Sequence, residues 1–138
     1  VIPIQKTLTR AFQHITKGRY AEVELDKEFS DISIKAKAYD ESHFSVTPQV
    51  LSTGTREQLS FLFRLCLAQH LSENEPQIMV LDESFVNTDA ERKNALLSLM
   101  IEVQENIQFL IFTCTESDYE LFKPYGTAVD LQKKITTG

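Results

Sequence analysis

The sequence predicts an α/β fold in which parallel strands lie between helices, with a small antiparallel piece in front. Three observations carry this. Two continuous apolar runs, Ile78-Met79-Val80-Leu81 and Phe109-Leu110-Ile111-Phe112, flank a helical stretch over 90–103, the pattern of parallel strands covered on both faces. A strongly apolar helical stretch precedes the first run. Two runs of strict alternation lie nearer the N-terminus, with polar residues between them.

Taken in order, Ile4, Leu8, Ala11, Phe12 and Ile15 recur at helical spacing, and Gly18 follows as a stop. An amphipathic helix beginning near Pro3 is the expectation for residues 1–17. In the next stretch, 20–47, Ala21, Val23 and Leu25 face one way and Tyr20, Glu22 and Glu24 the other. Ile32, Ile34, Ala36 and Ala38 repeat the pattern beyond Asp26-Lys27-Glu28, which predicts a hairpin with a loop of about five residues. Phe44 and Val46 add a third strand after the turn residues Asp40-Glu41-Ser42. Residues 56–71 read as a helix apolar on nearly every side (Leu59, Phe61, Leu62, Phe63, Leu65, Cys66, Leu67), as in a helix packed inside a larger body. Pro76 introduces the first continuous run, which closes on Asp82-Glu83.

A chain of 138 residues with 42% apolar content suits one compact domain, able to bury roughly two-thirds of its unfolded surface. No apolar run approaches the ~18 residues of a membrane span. The opening Val1-Ile2-Pro3 has neither an initiator Met nor a signal-peptide layout, and reads as a cut from a longer chain. A net charge of −6 argues against a broad nucleic-acid-binding face on this piece. Cys66 and Cys114 lack metal-ligand spacing and sit in apolar stretches, so both are expected as buried free thiols in a reducing compartment.

Three segments carry chemistry. In Leu51-Ser52-Thr53-Gly54-Thr55-Arg56-Glu57-Gln58 a helix is expected from about Arg56, its free N–H groups and dipole aimed back at Ser52 and Gly54. Gly54 permits close backbone approach and the Ser52 hydroxyl can donate to an anion, a phosphate-binding arrangement. The competing reading is a capping box with Thr55 as N-cap and Gln58 third in the helix. The second segment ends a buried strand in Asp82 and Glu83, where open α/β sheets bind ligands. Neighbouring positions at a strand end point to opposite sides, so the two acids take different tasks: Asp82 suits a hydrated Mg²⁺ and Glu83 a general base. A solvated structural pair is the plain alternative. The third, Cys114-Thr115-Glu116, leaves the later strand at its carboxyl end and should border the same site. Thr115 also reads as the N-cap of a helix from Glu116, with Asp118 at its third position.

Together these segments resemble the ABC-type ATPase heads of the SMC and DNA-repair superfamily. "LSTGTREQ" looks like the ABC signature motif, "IMVLDESFVNTD" like Walker B, catalytic Glu and D-loop, and "FLIFTCTES" like the following strand and switch loop. Order and spacing match over residues 50–116. "FQHITKGRYAEVELD" looks like the coiled-coil exit and following strand of SMC-like ATPases. Within the superfamily the resemblance is to the YhaN, SbcC and RecN/RecF types. It implies a fold: the C-terminal lobe of a P-loop NTPase head, with signature, Walker B, D-loop and switch region within 50–138. It implies ATP and Mg²⁺ as cofactors, with Ser52, Thr53, Gly54 and Gln58 facing a nucleotide on the opposite head and Asn87 and Asp89 reaching across the interface. Asp82 would then hold Mg²⁺ through water, and Glu83 with Thr115 would serve catalysis.

The implied partners are the N-terminal P-loop half, a second head, DNA through the full-length protein, and a nuclease. No membrane is implied, and a cytoplasmic, nucleoid-associated location is. Two departures stand out. None of the four glycines (Gly18, Gly54, Gly126, Gly138) opens a G-x-x-x-x-G-K-[ST] pattern, so the piece alone should be inactive. The family's switch His falls at Thr115, whose hydroxyl is shorter and does not titrate near neutrality. A weak or non-hydrolysing ATP switch of the same fold, and a structural α/β interaction module, are the alternatives. The D-loop segment also reads as a cap, with Thr88 and Glu91 opening the helix near Asp89.

Overall fold

The computed structural model describes residues 2–38 and 40–135. Helix α1 (Ile2–Ile15) leads into a three-stranded antiparallel sheet of β1 (Tyr20–Leu25), β2 (Ile32–Lys37) and β3 (His43–Val46), in that spatial order. Helix α2 (Thr53–Leu71) follows, then strand β4 (Gln77–Asp82), helix α3 (Ala90–Val103) and strand β5 (Ile107–Phe112), with β4 and β5 paired in parallel. A 3₁₀ segment (Glu116–Phe122) and a short helix α4 (Leu131–Ile135) end the described chain.

Helix α1 is the element around which the rest assembles. Ile4, Leu8, Phe12 and Ile15 form its buried stripe, and the helix packs against β1, α2 and α3. Its end follows from Gly18, whose φ of 75° is the left-handed conformation a helix terminus wants and whose N–H bonds back to the Gln13 carbonyl at 2.9 Å. A second, polar stripe on α1 meets the free edge of β1. Gln5 Oε1 accepts from Leu25 N–H (3.0 Å), Thr9 Oγ1 accepts from Val23 N–H (3.1 Å) and donates to Val23 O (3.2 Å), and Gln13 Nε2 donates to Ala21 O. The match is geometric: four helical residues rise about 6 Å and two strand residues about 6.6 Å, so every fourth α1 side chain meets every second β1 peptide. A strand edge that would otherwise template foreign pairing is thereby closed from within.

The hairpin forms as the alternation predicts, with one correction. Tyr20 is buried, stacked on Phe12 at 5.1 Å, because the register slips between Tyr20 and Glu22. A bulge of this kind resets which face a side chain takes, and alternation read from sequence carries no sign of it. The opposite face of this sheet is charged, Lys35 pairing with Glu22 (2.8 Å) and Glu24 (2.7 Å).

The parallel pair departs further from expectation. Met79 and Leu81 are buried, but Ile78 (67%), Val80 (47%), Leu110 (49%) and Phe112 (45%) are exposed. The continuous apolar runs promised cover on both faces; one face alone is covered by the described residues. Among these residues no helix is long and apolar enough to cross a membrane.

Candidate functional site

Two hydrogen-bonded clusters hold the residues singled out from the sequence. The first lies at the carboxyl end of β4 and β5. Strand pairing sets Asp82 opposite Phe112, and Glu83 N–H donates to Phe112 O at 3.0 Å. Alternation places Asp82 on the same face as Ile78 and Val80, where its carboxylate is exposed and makes no hydrogen bond or ion pair among the described residues. Glu83 breaks the alternation: its φ is +46°, and its Oε1 accepts from Cys114 N–H at 2.5 Å. Phe85 is also left-handed, at φ +71°. Bulky residues adopt this conformation only when packing holds them, at a cost of about 1–2 kcal/mol each. Phe85 is held: it is buried edge-on against Phe61, centroids 4.9 Å apart. The third segment therefore does border the acid pair, through the Cys114 backbone.

Cys114 is exposed, contrary to the expectation of two buried thiols, because the strand has already ended and the loop turns outward. The Glu83 carboxylate beside it, and Asp82 more weakly, push its thiol pKa up by disfavouring thiolate. Cys66 is buried as expected, and burial pushes it to about 11. Thr115 differs from its capping reading. The segment after it is 3₁₀, Thr115 makes no side-chain cap, and Asp118 pairs instead with Lys93 at 3.2 Å. The hydroxyl that works locally is Thr113 Oγ1, which accepts from Thr115 N–H at 2.9 Å.

The second cluster joins the start of α2 to the start of α3. The N-cap of α2 is Ser52, three residues before the expected Thr55: Ser52 Oγ accepts from Thr55 N–H (3.2 Å) and donates to Thr55 Oγ1 (2.8 Å). The N–H groups of Thr53 and Gly54 thus open the helix without intrahelical acceptors, beside exposed Ser52 and Thr53. Gly54 has an internal reason to be glycine. A Cβ there would lie 2.2 Å from the Asn87 carbonyl oxygen, so the close approach it permits is to this chain's own backbone. Gln58, expected to face a nucleotide, is 1% exposed; its Nε2 donates to Thr88 Oγ1 at 3.3 Å. Helical phase explains the correction, since Gln58 lies at i, i+4 and i+7 spacing with buried Leu62 and Leu65. Helix α3 is capped by Asp89, not Thr88: Asp89 Oδ1 accepts from Arg92 N–H at 3.0 Å, while Thr88 is buried. Asn87 and Asp89 are exposed, yet both are engaged within the chain, Asn87 Nδ2 donating to Glu57 at 3.1 Å.

Sequence reasoning missed Arg92. Its Nη1 donates to Thr55 Oγ1 (3.1 Å) and Gln58 Oε1 (3.2 Å), and its Nε lies 3.5 Å from Asp89 Oδ2. The legible signal was the i,i+3 spacing of an acid and an Arg at a helix start; its reach to α2 was not legible. The two clusters are joined by the Thr88 N–H, which donates to Phe85 O at 3.1 Å, and by the Lys93–Asp118 ion pair at 3.2 Å.

Comparison with known proteins agrees with this architecture. No family model matches the chain. It is 30% identical over 118 residues to YhaN of Bacillus subtilis (strain 168), an uncharacterized protein, the match taking in 85% of this chain and 12% of YhaN. Thus the chain spans about an eighth of that relative's length. Among solved structures it resembles the SMC head domain from Thermotoga maritima, with TM-score 0.60, 19% identity, and coverage of 87% of this chain and 40% of that one. A structure from work on ATP-driven dimerization and DNA-stimulated activation of SMC ATPases gives TM-score 0.61 at 16% identity, over 83% of this chain and 69% of that one. The chain has the α/β fold of an SMC-like head, and the findings are consistent with the C-terminal half of one.

Proposed function

We infer that this chain is half of an ATP-driven clamp: the C-terminal part of an SMC-like ATPase that binds and hydrolyses ATP between two dimerised heads, driving DNA repair or chromosome maintenance. The observation that carries the reading is the division of the site residues into two clusters. One presents carboxylates at the ends of parallel strands; the other presents the open N-terminus of a 19-residue helix. A chain divided in this way supplies complementary halves to two different nucleotide sites.

Magnesium and ATP fit these residues. Mg²⁺ takes one or two carboxylates with water and phosphate rather than an all-protein cage. Asp82 offers one uncommitted carboxylate, and among the described residues no group of three or more His, Cys, Asp or Glu could hold a metal alone. Bound Mg-ATP supplies the phosphoryl group and the charge that draws the heads together. Asp82 would hold Mg²⁺ through water, and the Glu83 carboxylate would take the proton of the attacking water. Ser52, Thr53 and Gly54 turn N–H and O–H donors toward the γ-phosphate carried by the opposite head. Gln58 acts from behind that surface, and Asn87 and Asp89 stand at its rim.

The bare face of Ile78, Val80, Leu110 and Phe112 is the seat of the N-terminal P-loop half. Contact with DNA and a nuclease, and a cytoplasmic, nucleoid-associated location, belong to the full-length protein. The test is Glu83→Gln in that protein. Turnover should fall about 10²–10⁴-fold while ATP binding and the ATP-dependent dimer persist; hydrolysis at the parental rate overturns the assignment. A slow or non-hydrolysing switch is the second reading. It is favoured by Thr115, whose hydroxyl bonds nothing among the described residues. Under that reading Thr115→His raises turnover.

A further inference from the structure

We propose that Arg92 is a positioning residue that fastens the 87–89 segment to the phosphate-facing start of α2, so that the two surfaces a second head meets move as one body. This rests on the reading that Ser52 faces the partner's nucleotide.

Arg92 is a donor-only group whose planar fork points to three oxygens on two elements: Thr55 Oγ1 and Gln58 Oε1 on α2, and Asp89 Oδ2 at the cap of its own helix. Thr55 in turn accepts from Ser52, and Gln58 donates to Thr88. The chain of bonds Ser52–Thr55–Arg92–Gln58–Thr88 therefore runs from the exposed serine to the residue beside Asp89. Thr55 and Gln58 are buried, so each would lose its bond to Arg92 without access to water if the link were cut. Gly54 and Asn87 add a steric contact to the electrostatic one: the two backbones touch where a Cβ would not fit. Arg92 itself is three-quarters covered, which places it behind the exposed Ser52 and Asn87 as their support, touching neither reacting atoms nor nucleotide.

A clamp of this kind predicts a specific failure. Without it Ser52 and Asn87 still exist, but their relative placement is no longer set before the heads meet, and the heads must order it on association. Nucleotide binding by a single head, which depends on the P-loop half, is untouched. A lysine preserves charge beside Asp89 but offers a single point donor, so it cannot hold both Thr55 and Gln58.

The experiment uses the full-length protein carrying Glu83→Gln to hold the ATP state, with Arg92→Met, Arg92→Lys and Ser52→Arg compared. Binding of a fluorescent ATP analogue, the ATP-dependent dimer constant by analytical ultracentrifugation, and thermal melting are read on each. Both Arg92 variants should weaken the dimer about tenfold, within the ordinary range of coupling between sites. ATP binding should stay at the parental value, and Arg92→Lys should melt below the parent while remaining folded at the temperature of the binding measurements. Should Arg92→Met not fold, Arg92→Lys decides. Adding Gln58→Leu to Arg92→Lys should weaken the dimer no further than either alone, since both cut the same link. Parental dimerisation in Arg92→Lys overturns the proposal, as does a loss of ATP binding that matches the loss of dimer. If Ser52→Arg blocks dimerisation and Arg92→Lys does not, the clamp alone is wrong. If Ser52→Arg also dimerises normally, the reading of Ser52 falls and the clamp with it.

Discussion

The two sheets of this molecule are finished in opposite ways. In the antiparallel sheet the inner face is buried under α1, the β1 edge is bonded by Gln5, Thr9 and Gln13, and the outer face carries the Glu22–Lys35–Glu24 ion pairs. Among the described residues the β3 edge stays open, with Phe44 half-exposed. In the parallel pair one face is buried with Met79 and Leu81, and the other is a plain apolar surface of Ile78, Val80, Leu110 and Phe112. A sheet that ends in charge is built to meet water, whereas one that ends in aliphatic and aromatic side chains is built to be covered. The contrast is between a sheet face that ends in ion pairs and one that ends in exposed apolar side chains.

The largest expected effect is within one strand. Leu81→Ala, on the covered face, should destabilise the chain by about 2–5 kcal/mol, while Val80→Ala on the bare face should stay within about 0.5 kcal/mol. Urea denaturation of both variants measures the difference, and equal costs would break the comparison. Next in size, under the proposed function, is the response to an N-terminal P-loop half. Val80→Asp should weaken its association about 30-fold, the scale of a central interface residue, whereas Glu24→Ala on the charged sheet should leave it unchanged; titration calorimetry reads both. Third comes the closed edge. Thr9→Val leaves the Val23 N–H and C=O without partners, and should cost about 1–3 kcal/mol and speed hydrogen exchange at Val23.

The smallest effect is at the charged face. Hydrogen bonds from Lys35 and then Ser33 hold the Glu24 carboxyl below its ordinary 4.5. A carboxyl lowered in the folded state contributes stability above 4.5 that is lost as pH falls through its folded value. Melting temperatures of parent and Lys35→Met should therefore differ at pH 6 and converge on acidification, and added salt should shrink the gap. A difference that persists unchanged at low pH would assign the effect to packing of the lysine stem.

Much of this was legible before any coordinates. The stripe of α1, the hairpin, the bounds 90–103 of α3 and the acid pair at a strand end all follow from local period and residue type, and each has its place in the structure. The misses share a cause. Tyr20 turned inward at a bulge, Ser52 took the α2 cap assigned to Thr55, and Asp89 took the α3 cap assigned to Thr88. In each, an element boundary or register lies one to three residues from where the local pattern puts it, and local patterns fix such boundaries poorly.

The sequence by itself determined the element types and the chemistry on offer: carboxylates after an apolar run, a serine and glycine before a helix, no phosphate cradle. Those depend on covalent identity and on neighbours a few positions away. Only the tertiary structure decided that Gly54 answers to the Asn87 carbonyl, that Glu83 is bonded by the loop after β5, and that Arg92 reaches Thr55 and Gln58. Each of these pairs residues some 30 or more positions apart. The contacts follow from how α2, α3 and the parallel strands pack, and a packing geometry is a property of the whole chain that no local window contains.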